Sequence, residues 1–334
     1  MGWKMSGRIG RLFRSIPGYA AAVAGFTARS ERAWGGPVSC AVEPANVCNL
    51  RCPLCAAGAG LLKRPKGVMG AADFERLIQR LPDSMGTLYL WGQGEPFLAP
   101  DFLRMVRFAA DRGFRTVTST NGHFLDNTAD IADSGLDILI VSLDGADQET
   151  YTAYRIGGDF QRVVDGVRSV THEVRRRGHG PDIVIQCVVN RMNEHEREDI
   201  MRIASDTGVV RTVFKTLQAV SIAGGDDLLP GGNGLSRYRR TSDGRLEPDR
   251  TGIAKSRCLR LYHSLQIDWM GNVVPCCFDK DSEYIMGNLL EEDFPSIWNG
   301  KRYRDFRRLL NERGRVLPMC GDCSEGLRRM NIHA

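Results

Sequence analysis

The sequence predicts an α/β fold: an open, partial (β/α)6 TIM-type barrel followed by a small cysteine-bearing C-terminal module. Three observations predict it. Strand-like and helix-like segments alternate from residue 38 to residue 215, the order that builds a parallel sheet through βαβ crossovers. The strand candidates are short, continuous apolar runs rather than alternating ones, as expected for parallel strands buried on both faces. Gly-, Asn- and Asp-containing turns recur where these strands end, the face at which such barrels place their chemistry.

The elements follow in order. Val38–Glu43 is β-rich and leads into a cysteine loop. Asp73–Leu81 reads as a helix, with Phe74, Leu77, Ile78 and Leu81 on one face. Thr87–Trp91 is a strand; Asp101–Arg112 is a helix with Asp101 as N-cap and Gly113 as stop. Arg115–Ser119 is a strand and Asn127–Ser134 a helix ended by Gly135. Asp137–Ser142 is a strongly apolar strand, followed by helices over Gln148–Tyr154 and Phe160–Arg177. Ile183–Val189, Glu194–Thr207 and Val210–Lys215 complete the pattern as strand, helix and strand. Residues 38–220 therefore form the core. Residues 221–256, rich in Gly, Asp and Arg, read as a linker or surface loop. Residues 257–334 form the second module, in which Ile267–Val274 reads as a small β-hairpin presenting Cys276.

Residues 1–37 form a basic extension. Ile16–Phe26 is only eleven residues of mostly apolar character behind Lys4, Arg8, Arg11 and Arg14. It is too short to span a bilayer, and an amphipathic helix that caps the barrel or rests on a membrane surface fits better. Of 334 residues, 42% are hydrophobic and 25% charged, the balance of a globular protein of one large or two smaller domains. The net charge of +5 and the basic runs at 175–177 and 237–240 read as solvated faces. No nucleic-acid partner is expected, because no recognition motif accompanies them. The ten Cys fall into an N-terminal and a C-terminal group, with Cys40 and Cys187 apart. Clustering in a chain of this size favours metal ligation over disulfides.

The run Cys48-Asn-Leu-Arg-Cys52-Pro-Leu-Cys55 carries the sharpest signal. Three thiolates on one short loop can hold three irons of a [4Fe–4S] cube and leave the fourth open, whereas full protein ligation takes four Cys. A zinc site is the alternative, but zinc sites pair two C-x2-C halves or mix Cys with His, and no His lies near this loop. The C-x3-C-x2-C spacing resembles the signature of the radical S-adenosylmethionine (SAM) enzymes. That resemblance implies a SAM-binding [4Fe–4S] cluster on Cys48, Cys52 and Cys55. It also implies reductive cleavage of SAM to a 5′-deoxyadenosyl radical, and abstraction of a hydrogen atom from the substrate. The residue before the last Cys, often aromatic in the family and near the adenine, is here Leu54.

The strand ends extend the resemblance. Gly94, Glu95 and Pro96 in the turn after the second strand are similar to the family turn that bonds the SAM amino group, with Gln93 in place of one Gly. Ser119 and Asn121 end the third strand and Ser142 and Asp144 the fourth, where the family contacts ribose, carboxylate and substrate. Arg155 matches an Arg that pairs with the SAM carboxylate, a role suited to the guanidinium fork. Cys187, on the fifth strand beside Gln186, reads either as a small buried residue or as a hydrogen-atom donor.

Cys258, Gly271, Cys276 and then Cys320-Gly-Asp-Cys323 resemble the SPASM/twitch extension of the same superfamily. The pattern stops at four ligands: Cys258, Cys276, Cys320 and Cys323, with Cys277 adjacent as a substitute. It implies one auxiliary [4Fe–4S] cluster; a structural zinc on the same four Cys is the alternative. An auxiliary cluster offers an outlet for an electron from the substrate, and the four-cysteine extension resembles that of the aminocyclitol dehydrogenases, which implies oxidation of a small alcohol of aminocyclitol or sugar type. The alternative is maturation of a ribosomal peptide or protein side chain, and a non-enzymatic iron–sulfur or zinc protein is a third reading. A flavodoxin- or ferredoxin-type electron donor and a reducing cytoplasmic location accompany this chemistry.

Overall fold

The computed structural model describes residues 2–218, 226–232, 234–243, 246–249, 257–321, 323 and 331–332. Six parallel strands form its centre: β1 (Ser39–Val42), β2 (Thr87–Leu90), β3 (Arg115–Thr120), β4 (Ile138–Ser142), β5 (Asp182–Val189) and β6 (Arg211–Thr216). Each pairs with the next, in chain order. The crossovers are carried by α2 (Ala71–Gln79), α3 (Phe102–Asp111), α4 (Thr128–Asp133), α5 (Gln148–Tyr154), α6 (Phe160–Arg177) and α7 (Arg197–Asp206), while α1 (Gly2–Thr27) precedes the sheet.

Local chemistry explains these boundaries. Asp147 and Asp159 cap α5 and α6 by accepting from the N–H groups of Thr150 (2.8 Å) and Arg162 (2.9 Å), which satisfies otherwise orphaned helix donors. Gly178 ends α6 at φ +68°, the left-handed cap that Gly adopts without penalty. Asp101 stands at the N-cap of α3 but makes no side-chain capping bond. Packing there comes instead from the stripe Phe102, Met105, Val106, Ala109 and Ala110. The helix expected over 194–207 begins later, at Arg197. Asn193 spends its side chain on the Asn190 N–H (2.8 Å) and the Asp144 carbonyl (3.0 Å), holding a turn where the helix would start.

The sheet does not close on itself. The second neighbour of β1 is β9 (Ser264–Ile267), and that of β6 is β12 (Asn331–Ile332). The expected C-terminal hairpin is present, with β9 antiparallel to β10 (Asn272–Val274) and β11 (Gly287–Asn288) beyond it. Because β9 also pairs in parallel with β1, that module extends the core sheet into a mixed ten-stranded one. The pairing was not expected, since period and turn signals do not reveal which distant strand completes an edge. Among the described residues, four helices accompany it: α8 (Arg260–His263), α9 (Phe294–Trp298), α10 (Lys301–Arg313) and α11 (Pro318–Gly321). Within the segment expected as linker, β7 (Tyr238–Arg240) and β8 (Leu246–Pro248) form a small antiparallel ladder. Residues 219–225, 233, 244–245 and 250–256 of that segment lie outside the described residues. Among the described residues no helix is long and apolar enough to cross a membrane.

Candidate active site

A cavity of about 260 Å³ opens at the C-terminal ends of the parallel strands. Strand register sets its floor. Ser119 pairs with Ile140, Ser142 with Gln186, and Val188 with Lys215. Paired residues of adjacent strands share a face, and Ser119, Ile140, Ser142, Gln186 and Lys215 all line the cavity.

One wall is the cysteine loop. Asn46 pins its two ends together, donating to the Pro65 carbonyl (2.8 Å) and accepting from the Gly67 N–H (2.7 Å). A helical turn runs from Cys52 to Ala59, and Cys48, Cys52 and Cys55 all line the cavity. Gly58 permits the tightest point: a Cβ there would meet the Cys52 N at 2.7 Å. The Leu50 N–H (3.4 Å) and the Asn121 amide (3.8 Å) point at the Cys48 sulfur. The Arg155 guanidinium points at the Cys52 sulfur (3.9 Å). Burial pushes the Cys52 thiol up to about 11, and Arg155 opposes that rise. These donors are placed to stabilise bound thiolates rather than free thiols. Among the described residues no fourth Cys lines the cavity, and no three Cys, His, Asp or Glu converge on one point as a single metal ion demands. Three thiols spread around an open space fit a cube with one iron left to a small molecule.

The remaining strand ends supply polar groups. Glu95 is 2% exposed and accepts from the Thr120 hydroxyl (2.7 Å), the Asn121 N–H (2.7 Å) and the Phe97 N–H (3.1 Å). Burial raises its carboxyl above the usual range, and these donors work against the rise. Its own N–H donates to the Val47 carbonyl (2.9 Å), so the turn after β2 is tied directly to the cysteine loop. Gly94 makes that approach possible, since a Cβ there would lie 2.4 Å from the Val47 carbonyl oxygen. Asn121 bridges the same wall through the Asn49 side chain (2.7 Å). Arg155 is held by the buried Asp144 at 2.5 Å, and Asp144 in turn accepts from the Val188 N–H (2.6 Å).

Cys48, Cys52, Cys55, Gly94, Glu95, Ser119, Asn121, Ser142 and Arg155 thus share one cavity. Four expected residues stand off it. Leu54 is buried in a satellite cluster with Leu50 and Tyr154. Pro96 is buried at the start of a short 3-10 turn. Asp144 acts through Arg155. Cys187 is fully buried in the main core, its sulfur receiving the Asn193 amide at 3.5 Å. The two-residue period gives the cavity side of β5 to Gln186 and turns Cys187 to the opposite face. That placement opposes a hydrogen-donor role for Cys187 and matches the small-buried-residue reading.

Sequence reasoning passed over Lys215, Glu43, Arg64 and His123. Lys215 lines the cavity from β6, and burial lowers its ammonium pKa, with the Arg237 charge adding to the effect. Glu43 is fully buried in a two-point pair with Arg64 (2.6 Å each) and also accepts from the Gln93 N–H (2.9 Å). Both Lys215 and Glu43 sit at strand ends, and that position was the available signal.

The second cysteine set also assembles. Cys276 lies within electrostatic reach of Cys258 and Cys277, and Cys320 within reach of Cys323 and Cys258. Arg315 donates to the Cys323 sulfur (3.7 Å) and lowers the thiols of Cys258 and Cys320 against the upward pull of burial. Each cysteine set therefore has one Arg beside a sulfur, an arrangement that favours a negatively charged thiolate cluster. Arg307 braces the module: it is fully buried, donates to the Leu261 (3.1 Å) and Trp298 (3.0 Å) carbonyls, and lies against the Trp298 and Tyr303 rings.

Comparison with known proteins agrees with this geometry. The radical SAM superfamily profile matches residues 42–204, and the SPASM iron–sulfur cluster-binding domain matches residues 258–324. An AdoMet-dependent heme synthase of Nitratidesulfovibrio vulgaris is 26% identical over 326 residues, covering 84% of this chain and 85% of that protein. A mycofactocin maturase of Mycobacterium ulcerans is 25% identical, covering 88% and 82%. Among solved structures, SuiB of Streptococcus suis bound to SAM superposes with a TM-score of 0.62 at 14% identity, covering 81% of this chain and 68% of that one. The chain belongs to the radical SAM superfamily: it is an enzyme that uses S-adenosylmethionine and a [4Fe–4S] cluster, with a C-terminal SPASM-type domain for an auxiliary iron–sulfur cluster.

Proposed function

We propose that this enzyme oxidises or crosslinks a side chain of a ribosomally made peptide or protein. The observation that carries this reading is a set of exposed apolar residues on the connections that leave the C-terminal ends of the strands. Leu61, Ile156 and Met192 are 51%, 41% and 41% exposed, and they come from the connections that follow β1, β4 and β5. Exposed apolar side chains on the connections at the cavity end of the sheet suit a polypeptide that lays neighbouring residues outside while one side chain enters. The relationship to the mycofactocin maturase, along most of both chains, supports the same reading. This reverses the preference for a small alcohol drawn from the likeness of the four-cysteine extension to that of the aminocyclitol dehydrogenases. Dehydrogenation of a small molecule stays as a second reading, favoured by the hydrogen-bonding groups of Ser142, Gln186 and Lys215 on the cavity floor.

When bound, the cluster and SAM supply a 5′-deoxyadenosyl radical able to take a hydrogen atom from carbon. The protein's part is placement. Cys48, Cys52 and Cys55 hold the cube, while Gly94, Glu95 and Asn121 shape the wall that receives the methionine end of SAM. Arg155, steadied by Asp144, offers a fixed cation beside Cys52. Ser142, Gln186 and Lys215 face the remaining space and orient the substrate. Cys258, Cys276, Cys320 and Cys323 hold the auxiliary cluster, and a flavodoxin- or ferredoxin-type protein delivers the first electron. A partly open barrel with its mouth at the strand ends gives a peptide access. The test is anaerobic: the reconstituted enzyme is given SAM and perdeuterated candidate precursor peptides, or deuterated aminocyclitols. Deuterium in 5′-deoxyadenosine from a peptide is the expected result, and deuterium only from the cyclitol would replace this reading with the second.

A further inference from the structure

The helix α1 is built inside out. Its small residues face the protein. Ala22 is fully buried, and a Cβ placed at Gly35 would lie 2.8 Å from the Gly18 carbonyl oxygen and 3.0 Å from the Ala21 Cβ. Near its end Phe26 is clamped by Arg257, which donates to its carbonyl (2.7 Å) and sits over its ring at 4.4 Å. Its large residues face away: Phe13 is 66% exposed, Ile16 59% and Val23 37%. Pro17, Ala20 and Ala24 share that outward side, and Tyr19, 45% exposed, borders it against His263. From residue 15 to residue 24 the helix carries no charged residue at all. A water-facing helix normally shows the reverse, and a contiguous exposed apolar stripe marks an interaction surface.

Charge selects the partner. The helix contains Lys4, Arg8, Arg11 and Arg14 and no Asp or Glu. These four recur at the three-to-four-residue spacing of one helical stripe. An apolar face joined to basic residues, in a helix that does not span a bilayer, matches the pattern of a helix lying in the plane of an anionic membrane surface. The position in the fold is compatible. Gly18 approaches Gly36 and Val38 just before β1, and Ser84 just before β2. The helix thus docks at the N-terminal ends of the strands, opposite the cavity, and a membrane beneath it leaves the cavity mouth facing water. We propose that α1 seats this enzyme on an anionic lipid bilayer through the Phe13, Ile16 and Val23 stripe.

The test uses the full-length, cluster-loaded enzyme and sedimentation with vesicles of phosphatidylcholine, with or without about 30 mol % phosphatidylglycerol. Binding to the anionic vesicles is expected to exceed binding to neutral ones about tenfold and to weaken from about 50 mM to about 500 mM salt. The double substitution Phe13→Ser/Ile16→Ser should abolish sedimentation while SAM cleavage in solution stays intact, which separates lost docking from lost folding. Arg11→Glu/Arg14→Glu is the second variant and should remove the preference for the anionic lipid. Equal sedimentation with both vesicle types, or none, would overturn the proposal. So would a dimer in solution that the stripe substitutions convert to monomer, since a second copy would then be the occupant.

Discussion

At the residue scale, His123 shows how closely the site is tuned. Its Nε2 accepts from the Asp159 N–H (2.9 Å) and its Nδ1 lies 3.0 Å from the Asn121 side-chain oxygen. A ring whose Nε2 accepts is neutral, with its proton on Nδ1. Burial pushes its pKa below the ordinary value. Between that lowered value and roughly 6.5, where a free His titrates, the unfolded chain binds a proton that the folded chain refuses. The stability contributed is therefore complete above about 6.5 and is lost as pH falls below it. We expect the thermal midpoint to drop between pH 7 and pH 5.5, and His123→Gln to flatten that profile; an unchanged slope in the variant would assign the pH dependence elsewhere. Asn121, which His123 steadies, also reaches Asn49 and the Cys48 sulfur, so the same acidification should loosen the cluster wall. His123 was invisible to motif reading because its partners lie on α6's cap and on its own turn, not at a ligand spacing.

At the element scale, the decisive contact is loop on loop. The turn after β2 donates from Gly94 to the Ala45 carbonyl (3.2 Å) and from Glu95 to the Val47 carbonyl (2.9 Å). A methyl group at Gly94 would meet Val47 O at 2.4 Å and Ala45 O at 2.6 Å, both backbone atoms that cannot swing aside. Gly94→Ala should therefore displace the cysteine loop and weaken SAM binding by at least about tenfold, ~1.4 kcal/mol, as read by calorimetric titration. Gly70→Ala, where a Cβ meets nothing within 4 Å, is the matched control and should bind SAM normally. The alternation of strands and helices was legible because each element carries its own period and stop signal. The meeting of two loops was legible only as a family likeness, since nothing in either segment specifies the other.

At the scale of the whole molecule, the chain makes one sheet serve two cysteine sets. The strand β9 completes the β1 edge, so the segment bearing Cys258 and Cys276 is bolted to the strand that feeds Cys48. Each set has an Arg beside one of its sulfurs, Arg155 at Cys52 and Arg315 at Cys323. Cys320→Ala/Cys323→Ala should accordingly lower iron from about eight to about four per chain. Release of 5′-deoxyadenosine should persist while oxidised product disappears. Loss of both together would mean that the second set supports the first structurally, through the shared sheet, rather than serving as an electron outlet.

By itself the sequence determined the six parallel strands with the helices between them, the two cysteine sets and the superfamily, because these depend on short-range periodicity and on ligands a few residues apart. Only the tertiary structure decided which of two neighbours on β5 faces the cavity, that Lys215 joins its floor, that β9 closes on β1, and that α1 turns its large residues outward. Each of those depends on strand register or on which surface a helix finds to pack against. Both are settled by contacts between residues far apart in the chain, where local pattern carries no information.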